Sequence, residues 1–440
     1  MKIRDFRKLI YGVDYEVPLE NGEKIQAVNF DNAATTPALV TVISDVIKFL
    51  IIYSSSHRGF GFKSEASTKL YDECRKIVAK FVGADIKKNT VIFVKNATEA
   101  INKLSNILYT NHKDAVILST DMEHHSNDLP WRKFKIDYIN IDEFGVLSLE
   151  DMERKLQYYN GAVKLVTVTG ASNVTGYKNP IYKIASIVHK YGAMIMVDGA
   201  QLVPHAHVNM SGKSKNDYLD FLVFSGHKMY APFGCGVLIG PKDIFQGVAP
   251  DYPGGGNVEI VTHNYIKWDK SPLKDEPGSP NAVGAAAMAS AMNALSEIGM
   301  KNIEEYEKKL TKYAVNKMKQ LPHIKFFCKG SKIYGKDSGE KCDGVSIITF
   351  NIEGLSHETV AKYLSYKGGI SVRDGCFCAH PYVQRLLKMT DEEVKERIRT
   401  NSHKPGMVRI SFGFYNTFEE INRFIYHLEK LIKNREKYYQ

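Results

Sequence analysis

Apolar positions along the chain follow two different periods. Val40, Ile43, Ile47, Leu50 and Ile51 recur at helical spacing after the stop at Pro37. Leu70, Cys74, Ile77, Val78 and Phe81 do the same, and Gly83 ends that run. Short unbroken apolar runs follow at 91–94, 115–118, 165–169, 194–197 and 219–224, several of them separated by helical segments. Strands buried on both faces read in this way. The pattern predicts an α/β chain with a mostly parallel sheet covered by helices. A further strand is expected at 234–239, close after the last.

From about Pro280 the pattern changes. An Ala-rich helix is expected at 283–295 and a charged one at 306–318. The rest reads strand (345–350), helix (358–366), strand (370–373), strand (408–412) and helix (417–432). Thr417 and Glu420 have the spacing of a capping box. Phe418, Ile421, Ile425, Leu428 and Ile432 form one apolar face of that last helix. Three parts are expected: a segment 1–28 packing with the small domain, a large domain 29–295, and a small α+β domain 296–440. Residues 388–404 show no apolar period beyond one turn and read as a surface excursion.

Composition narrows the class. The 440 residues are 44% hydrophobic and 25% charged, which excludes a disordered or collagen-like chain. Lys and Arg outnumber Asp and Glu by 59 to 49, but the basic residues are scattered, so no nucleic-acid partner is expected. No run approaches the roughly 18 apolar residues of a membrane span. The first residues carry no apolar leader, so no membrane partner and no secretory signal are expected. Six cysteines are too few for a disulfide scaffold, and a reducing cytoplasm is the natural compartment.

Two acid–base signals follow predicted strands. Val197-Asp198-Gly199-Ala200-Gln201 closes one, and Ser225-Gly226-His227-Lys228 closes the next. In open α/β sheets ligands bind beyond the carboxyl ends of the strands, so Asp198 and Lys228 would converge on one crevice. The plainer alternative is a helix-capping Asp and a surface Lys. As a pair they match pyridoxal phosphate, which needs a Schiff-base lysine and a carboxylate on its pyridinium nitrogen. Thr98 lies at a strand-to-helix turn, where a hydroxyl and free N–H groups make a phosphate site or simply an N-cap. Ser225 and His227 would add donors. His124 or His125 could stack on a ring. Adjacent histidines without a further ligand set do not make a metal site.

With these pieces in order, the sequence resembles the group-V pyridoxal-phosphate enzymes, and within them the cysteine desulfurases and selenocysteine lyases. The resemblance runs from about Asn29 to Leu431. It rests on Phe30-Asp31-Asn32-Ala33-Ala34-Thr35-Thr36-Pro37, His57-Arg58-Gly59, Asn96-Ala97-Thr98-Glu99-Ala100-Ile101-Asn102 and Glu123-His124-His125-Ser126-Asn127. Ser172-Asn173-Val174-Thr175-Gly176, the Asp198 and Lys228 stretches, Pro277-Gly278-Ser279-Pro280-Asn281 and Arg409-Ile410-Ser411 complete it. The resemblance implies a fold type I transferase with a seven-stranded-type sheet, and it implies roles. Lys228 would form the Schiff base and shuttle protons. Asp198 would pair with the ring nitrogen, Gln201 with the ring hydroxyl, and His124 would stack on the ring. Thr98, Ser225 and His227 would hold the cofactor phosphate, with Glu99 a further cofactor-binding position. Gly278 and Ser279 would close that site from a partner subunit, implying a homodimer. Arg409 would grip the substrate carboxylate with Ala33, Asn173 and Arg373 nearby.

Arg373-Asp374-Gly375-Cys376-Phe377-Cys378-Ala379-His380-Pro381 decides the activity. In the resembled desulfurases a loop here carries the cysteine that attacks the substrate sulfur, and Cys378 takes that place. L-Cysteine would give L-alanine and a Cys378 persulfide, passed on to a sulfur-acceptor protein. Cys376 departs from the usual pattern. In an extended run, residues two apart share a side, so both thiols could face the pocket. Sulfur relay through Cys376 is the expectation, rather than a strained resting disulfide. A metal site from Cys376, Cys378 and His380 lacks a clear fourth ligand, since Cys342 and His403 are isolated. The alternatives are a class V aminotransferase, an epimerase, a carbon–sulfur or selenocysteine lyase, or a non-catalytic interaction protein on the same fold.

Overall fold

The computed structural model describes residues 6–57, 59–327, 343–400 and 404–438. Arg58 of the His57-Arg58-Gly59 stretch, Cys342 and His403 lie outside the described residues.

Seven strands form the large sheet: β1 (Asn89–Val94), β2 (Val116–Thr120), β3 (Lys135–Ile139), β4 (Val163–Thr169), β5 (Met194–Asp198), β6 (Phe221–Ser225) and β7 (Gly236–Pro241). Their order is β1-β7-β6-β5-β4-β2-β3. All are parallel except β7, which runs antiparallel between β1 and β6. The expected mostly parallel sheet is therefore present. Its central strands β5 and β6 are buried almost throughout, as their unbroken apolar runs require. β3 was missed because it is a half-exposed edge strand with a mixed polar sequence.

Helices α1 (Val40–Ile52), α2 (Phe62–Phe81), α3 (Ala97–Asn111), α4 (Leu149–Tyr158), α5 (Ile181–Lys190) and α6 (Ala282–Ile298) accompany this sheet. α7 (Met300–Met318) leads into a four-stranded antiparallel sheet. Its strands are β8 (Ile324–Phe326), β9 (Ile347–Ile352), β10 (Arg373–Gly375) and β11 (Met407–Ser411), in the order β8-β9-β11-β10. α8 (His357–Gly368), α9 (His380–Leu387), α10 (Asp391–Arg399) and α11 (Phe418–Lys433) complete this part. α11 begins at the expected capping box of Thr417 and Glu420. It buries Ile421, Phe424, Leu428, Leu431 and Ile432, each contributing roughly 2 kcal/mol by leaving water.

Two expectations change. Residues 370–373 are not one strand. Ile370–Ser371 pairs in parallel with Val28–Asn29, and β10 then pairs with β11. The excursion 388–404 is not irregular beyond a turn: it holds α10, opened by a capping box of Thr390 and Glu393. That helix buries no residue, which is why no apolar period announced it. No helix among the described residues is long and apolar enough to cross a membrane.

Candidate active site

β5 and β6 lie side by side in parallel, so their carboxyl ends deliver Asp198 and Ser225 to one edge of the sheet. The chain then makes a single 3-10 turn, Gly226–Lys228, and Lys228 and Asp198 come to line the same cavity, of about 410 Å³. Asp198 is buried, and its carboxylate accepts the Ala200 N–H at 2.9 Å. Burial raises its pKa, opposed by that hydrogen bond and by Lys228. Burial also pulls the Lys228 ammonium down to about 8, against the pull of Asp198 and with the help of Arg409. A lysine with that pKa is largely a neutral amine at mildly alkaline pH.

Donors gather where α3 begins. Asn96 is the N-cap, accepting from the Glu99 N–H at 3.0 Å, so Thr98 is free of that duty. The Thr98 and Ser126 hydroxyls lie 2.7 Å apart, and Ser225 Oγ accepts the Ala97 N–H at 2.8 Å. Thr98, Ser126, Ser225 and His227 all line the cavity. Hydroxyls around a helix N-terminus form an anion-binding corner. Burial lowers the His227 pKa to about 4 and the His124 pKa to about 3, with Lys228 adding repulsion in both cases. His124 Nδ1 accepts the Ser126 N–H at 3.1 Å, leaving its proton on Nε2. Beneath it, buried Glu123 accepts from Thr120, Asn127 and the Thr169 N–H, and burial raises its pKa to about 8.

The opposite wall comes from the small sheet. Arg409 on β11 is buried and donates to the Asn173 carbonyl at 2.8 Å and to Asp31 at 3.1 Å. Its Nε has no partner among the described residues. Arg373 sits opposite Arg409 in the β10–β11 register and reaches the same Asp31 at 3.3 Å. The Phe377 ring lies under the Arg409 guanidinium, 5.0 Å from its carbon. Cys378 lines this cavity too and is exposed.

Phe377 and Cys378 both take left-handed backbone conformations, with φ of 52° and 54°. For non-glycine residues each costs on the order of 1–3 kcal/mol. Contacts from the large sheet's side offset this. Asn173 donates to the Phe377 carbonyl at 2.7 Å, and the His125 N–H donates to the Cys378 carbonyl at 2.7 Å. The run from Cys376 to Cys378 is therefore not extended, and the expectation that both thiols face the pocket is corrected. Cys376 is buried, does not line the cavity, and its thiol donates to the Pro405 carbonyl at 3.0 Å. Burial raises that thiol to about 11, with Cys378 adding to the rise.

The cavity thus brings together Ala33, Thr98, His124, Asn173, Asp198 and Gln201 with Ser225, His227, Lys228, Arg373, Cys378 and Arg409. It leaves out Glu99, whose carboxylate turns back to accept the Lys95 N–H at 2.6 Å. Gly278 and Ser279 line a separate cavity of about 380 Å³, with Ser54, Ser55, Ser56 and Gly256. Sequence reasoning missed Asp31, Ser126 and Phe377 as members of the site. All three sit inside the motif stretches, but nothing in their type or spacing marks them. No cluster of three or more His, Cys, Asp or Glu side chains among the described residues could hold a metal.

Comparison with known proteins places the chain in a family. The class-V aminotransferase family model matches residues 28–424. A probable cysteine desulfurase from Halalkalibacterium halodurans is 31% identical over 98% of both chains. Another from Pyrococcus abyssi is 33% identical over 93% of this chain and 95% of its own. Among solved structures, the apo cysteine desulfurase of Thermococcus onnurineus superposes with a TM-score of 0.83 at 30% identity, covering 99% of each chain. A family match over most of the chain, with relatives aligned end to end, leaves one assignment: the chain belongs to the class-V aminotransferase family, within its cysteine desulfurase group.

Proposed function

We propose that this chain is a pyridoxal 5′-phosphate-dependent cysteine desulfurase, which takes sulfur from L-cysteine to leave L-alanine and a persulfide on Cys378. The observation that carries the reading is that the Cys378 thiol shares one cavity with Lys228, Asp198 and Arg409. Transamination and simple elimination have no use for a sulfur nucleophile there. The relatives named cysteine desulfurase support it.

The residues fit the cofactor. Gln201 Nε2 is already committed to the Ala33 carbonyl at 2.6 Å, while its buried Oε1 has no partner among the described residues. That orphan acceptor suits the ring hydroxyl. Asp198 suits a protonated ring nitrogen, neutral His124 suits a ring face, and the Thr98–Ser126–Ser225–His227 corner suits the phosphate. When bound, pyridoxal phosphate supplies an electron sink for a carbanion at the substrate α-carbon.

The chain's own residues do the rest. Lys228 Nζ, its pKa pulled down to about 8 by burial, would hold the cofactor aldehyde and would move the α-proton of cysteine. Arg409 binds the substrate carboxylate with its planar fork, oriented by Asp31 and the Asn173 carbonyl. The Cys378 thiolate attacks the substrate sulfur. An S–S bond forms, the carbon–sulfur bond breaks, and its electron pair remains on carbon, where protonation gives alanine.

The active unit is a homodimer in this reading. Gly278 and Ser279 would complete the partner's phosphate site, and exposed Ile47, Leu50, Ile51, Phe60 and Phe62 supply apolar surface to bury. Exposed Cys378 would hand its sulfur to an acceptor protein. The described cysteines are free thiols, and such an enzyme suits a reducing cytoplasm. The test is to incubate the pure protein with L-cysteine and a thiol and measure products. Alanine and sulfide in equal amounts are expected. Pyruvate with ammonia, or a strict need for a keto acid, would replace this reading with a lyase or a transaminase.

A further inference from the structure

His125 does not line the cavity, yet it meets the cysteine loop at three points. Its N–H donates to the Cys378 carbonyl at 2.7 Å. Its Nε2 accepts the backbone N–H of His380 at 3.1 Å and lies 2.9 Å from His380 Nδ1. Because Nε2 accepts the backbone N–H, it carries no proton, so His380 Nδ1 is the donor in the second bond. The two rings lie parallel, 8° apart, with centroids 4.8 Å from each other.

The position of His380 gives these bonds their weight. It is the first residue of α9, whose leading N–H groups lack partners within the helix. Ala379, the N-cap, offers no side-chain acceptor, and Pro381 has no N–H. His125 Nε2 therefore caps α9 from across the cavity rim, while the same residue's backbone holds the carbonyl of the nucleophile. Between these two bonds lies only Ala379. Burial and the neighbouring His380 keep His125 below its ordinary pKa, which suits an imidazole that must stay an acceptor.

We propose that His125 and His380 are positioning residues, a paired-imidazole clamp that holds the Cys378 loop at the cavity for sulfur transfer. The consequence for sulfur rests on the desulfurase reading; the clamp itself rests on the bonds above. The clamp acts on the loop and leaves the Asp198–Lys228 floor alone, so it separates two measurable steps.

The experiment uses the full-length, cofactor-loaded protein and the variants His125→Phe, His125→Gln and His380→Ala. Phe keeps a flat ring and removes the acceptor. Gln puts an oxygen near the Nε2 position. Two rates are read after a pulse of L-cysteine: exchange of the α-proton with solvent, and formation of the Cys378 persulfide by mass spectrometry. Hydrogen exchange of the backbone amides from 376 to 382 is read in parallel without substrate. In His125→Phe, persulfide formation should fall roughly fivefold, the weight of one net hydrogen bond lost at the exposed side of the loop. α-Proton exchange should stay within about twofold, and the loop amides should exchange faster. His125→Gln should recover most of the persulfide rate, and His380→Ala, which keeps the backbone bond, should lose less than His125→Phe. Unchanged persulfide formation in His125→Phe, or an equal fall in both rates, overturns the clamp. If the wild type forms no persulfide, the desulfurase reading fails. The loop amides then decide the clamp alone: faster exchange in His125→Phe upholds it, and unchanged exchange overturns it.

Discussion

Asp198 and Lys228 are held by the centre of a seven-stranded sheet, whereas Cys378 hangs between an edge strand of the small sheet and the short helix α9. The floor is placed by ladder hydrogen bonds of β5 and β6 and by side chains buried on both faces. Moving it means shifting strand register, which would turn every core side chain. The cysteine loop has no such support. Two successive left-handed residues are kept in place by Asn173, His125 and the Arg409–Phe377 stack. In the proposed function, the part that would make the carbanion is thus fixed by the fold, and the part that would take the sulfur is fixed by a handful of contacts. The two should fail separately.

The largest effect comes from breaking the floor. Lys228→Ala removes the amine that lines the cavity with Asp198, so α-proton exchange and alanine formation should both fall by at least roughly 10²–10⁴-fold, the range for a positioned proton-transfer group. The absorbance of bound cofactor and α-deuterium exchange check this. Exchange at the wild-type rate would put the base elsewhere. Breaking the loop gives the contrasting result. Cys378→Ser should keep α-proton exchange and lose the persulfide, because a hydroxyl is a far weaker nucleophile toward sulfur than a thiol and forms no S–S bond. A single cysteine pulse followed by mass spectrometry decides. A variant that loses both would merge floor and loop into one unit.

The floor's electrostatics give a graded test. Lys228 is pulled to about 8 chiefly by burial, while Asp198 pulls the other way. Only the neutral amine condenses with an aldehyde. In the cofactor-free protein, capture of pyridoxal phosphate should therefore speed up about tenfold per pH unit below that value and level off above it. Asp198→Asn removes the group that raises the Lys228 pKa, so the break should move to lower pH. Stopped-flow absorbance at a series of pH values reads both. A profile still climbing toward the ordinary lysine value of 10.5 would mean that burial does not control this amine.

The same contrast governs how much could be read from the sequence. Asp198 and Lys228 were legible because each ends an unbroken apolar run, and a strand buried on both faces advertises itself. β3 was not, since a polar edge strand looks like a loop. The register that lets Asp31 meet Arg409 joins residues 378 positions apart, and the His125–His380 pair spans 255. No local pattern encodes either. The run 370–373 read as one strand because period alone cannot say which partner each half will find. It also could not show that the chain after Cys376 coils left-handed, and that error produced the expectation of two thiols facing one pocket.

The smallest effect should come from Cys376, only two residues from the nucleophile. Its thiol is buried, points to the Pro405 carbonyl at 3.0 Å, and is pushed up to about 11, so it is almost wholly protonated at neutral pH. A protonated, enclosed thiol is a poor nucleophile toward a persulfide. Relay would require it to leave Pro405 and turn toward the cavity, past the Phe377 ring that lies under Arg409. Cys376→Ser replaces a weak S–H donor with a stronger O–H one and keeps the tie to Pro405. Persulfide formation on Cys378 and its discharge to a small thiol should then both stay within about twofold of wild type, as expected when one hydrogen-bond donor is exchanged for another. Alkylation at neutral pH should label Cys378 and spare Cys376 in the folded protein. A discharge rate cut several-fold in Cys376→Ser, with persulfide formation unchanged, would restore the relay. It would also show that the loop opens further during turnover than its resting contacts suggest.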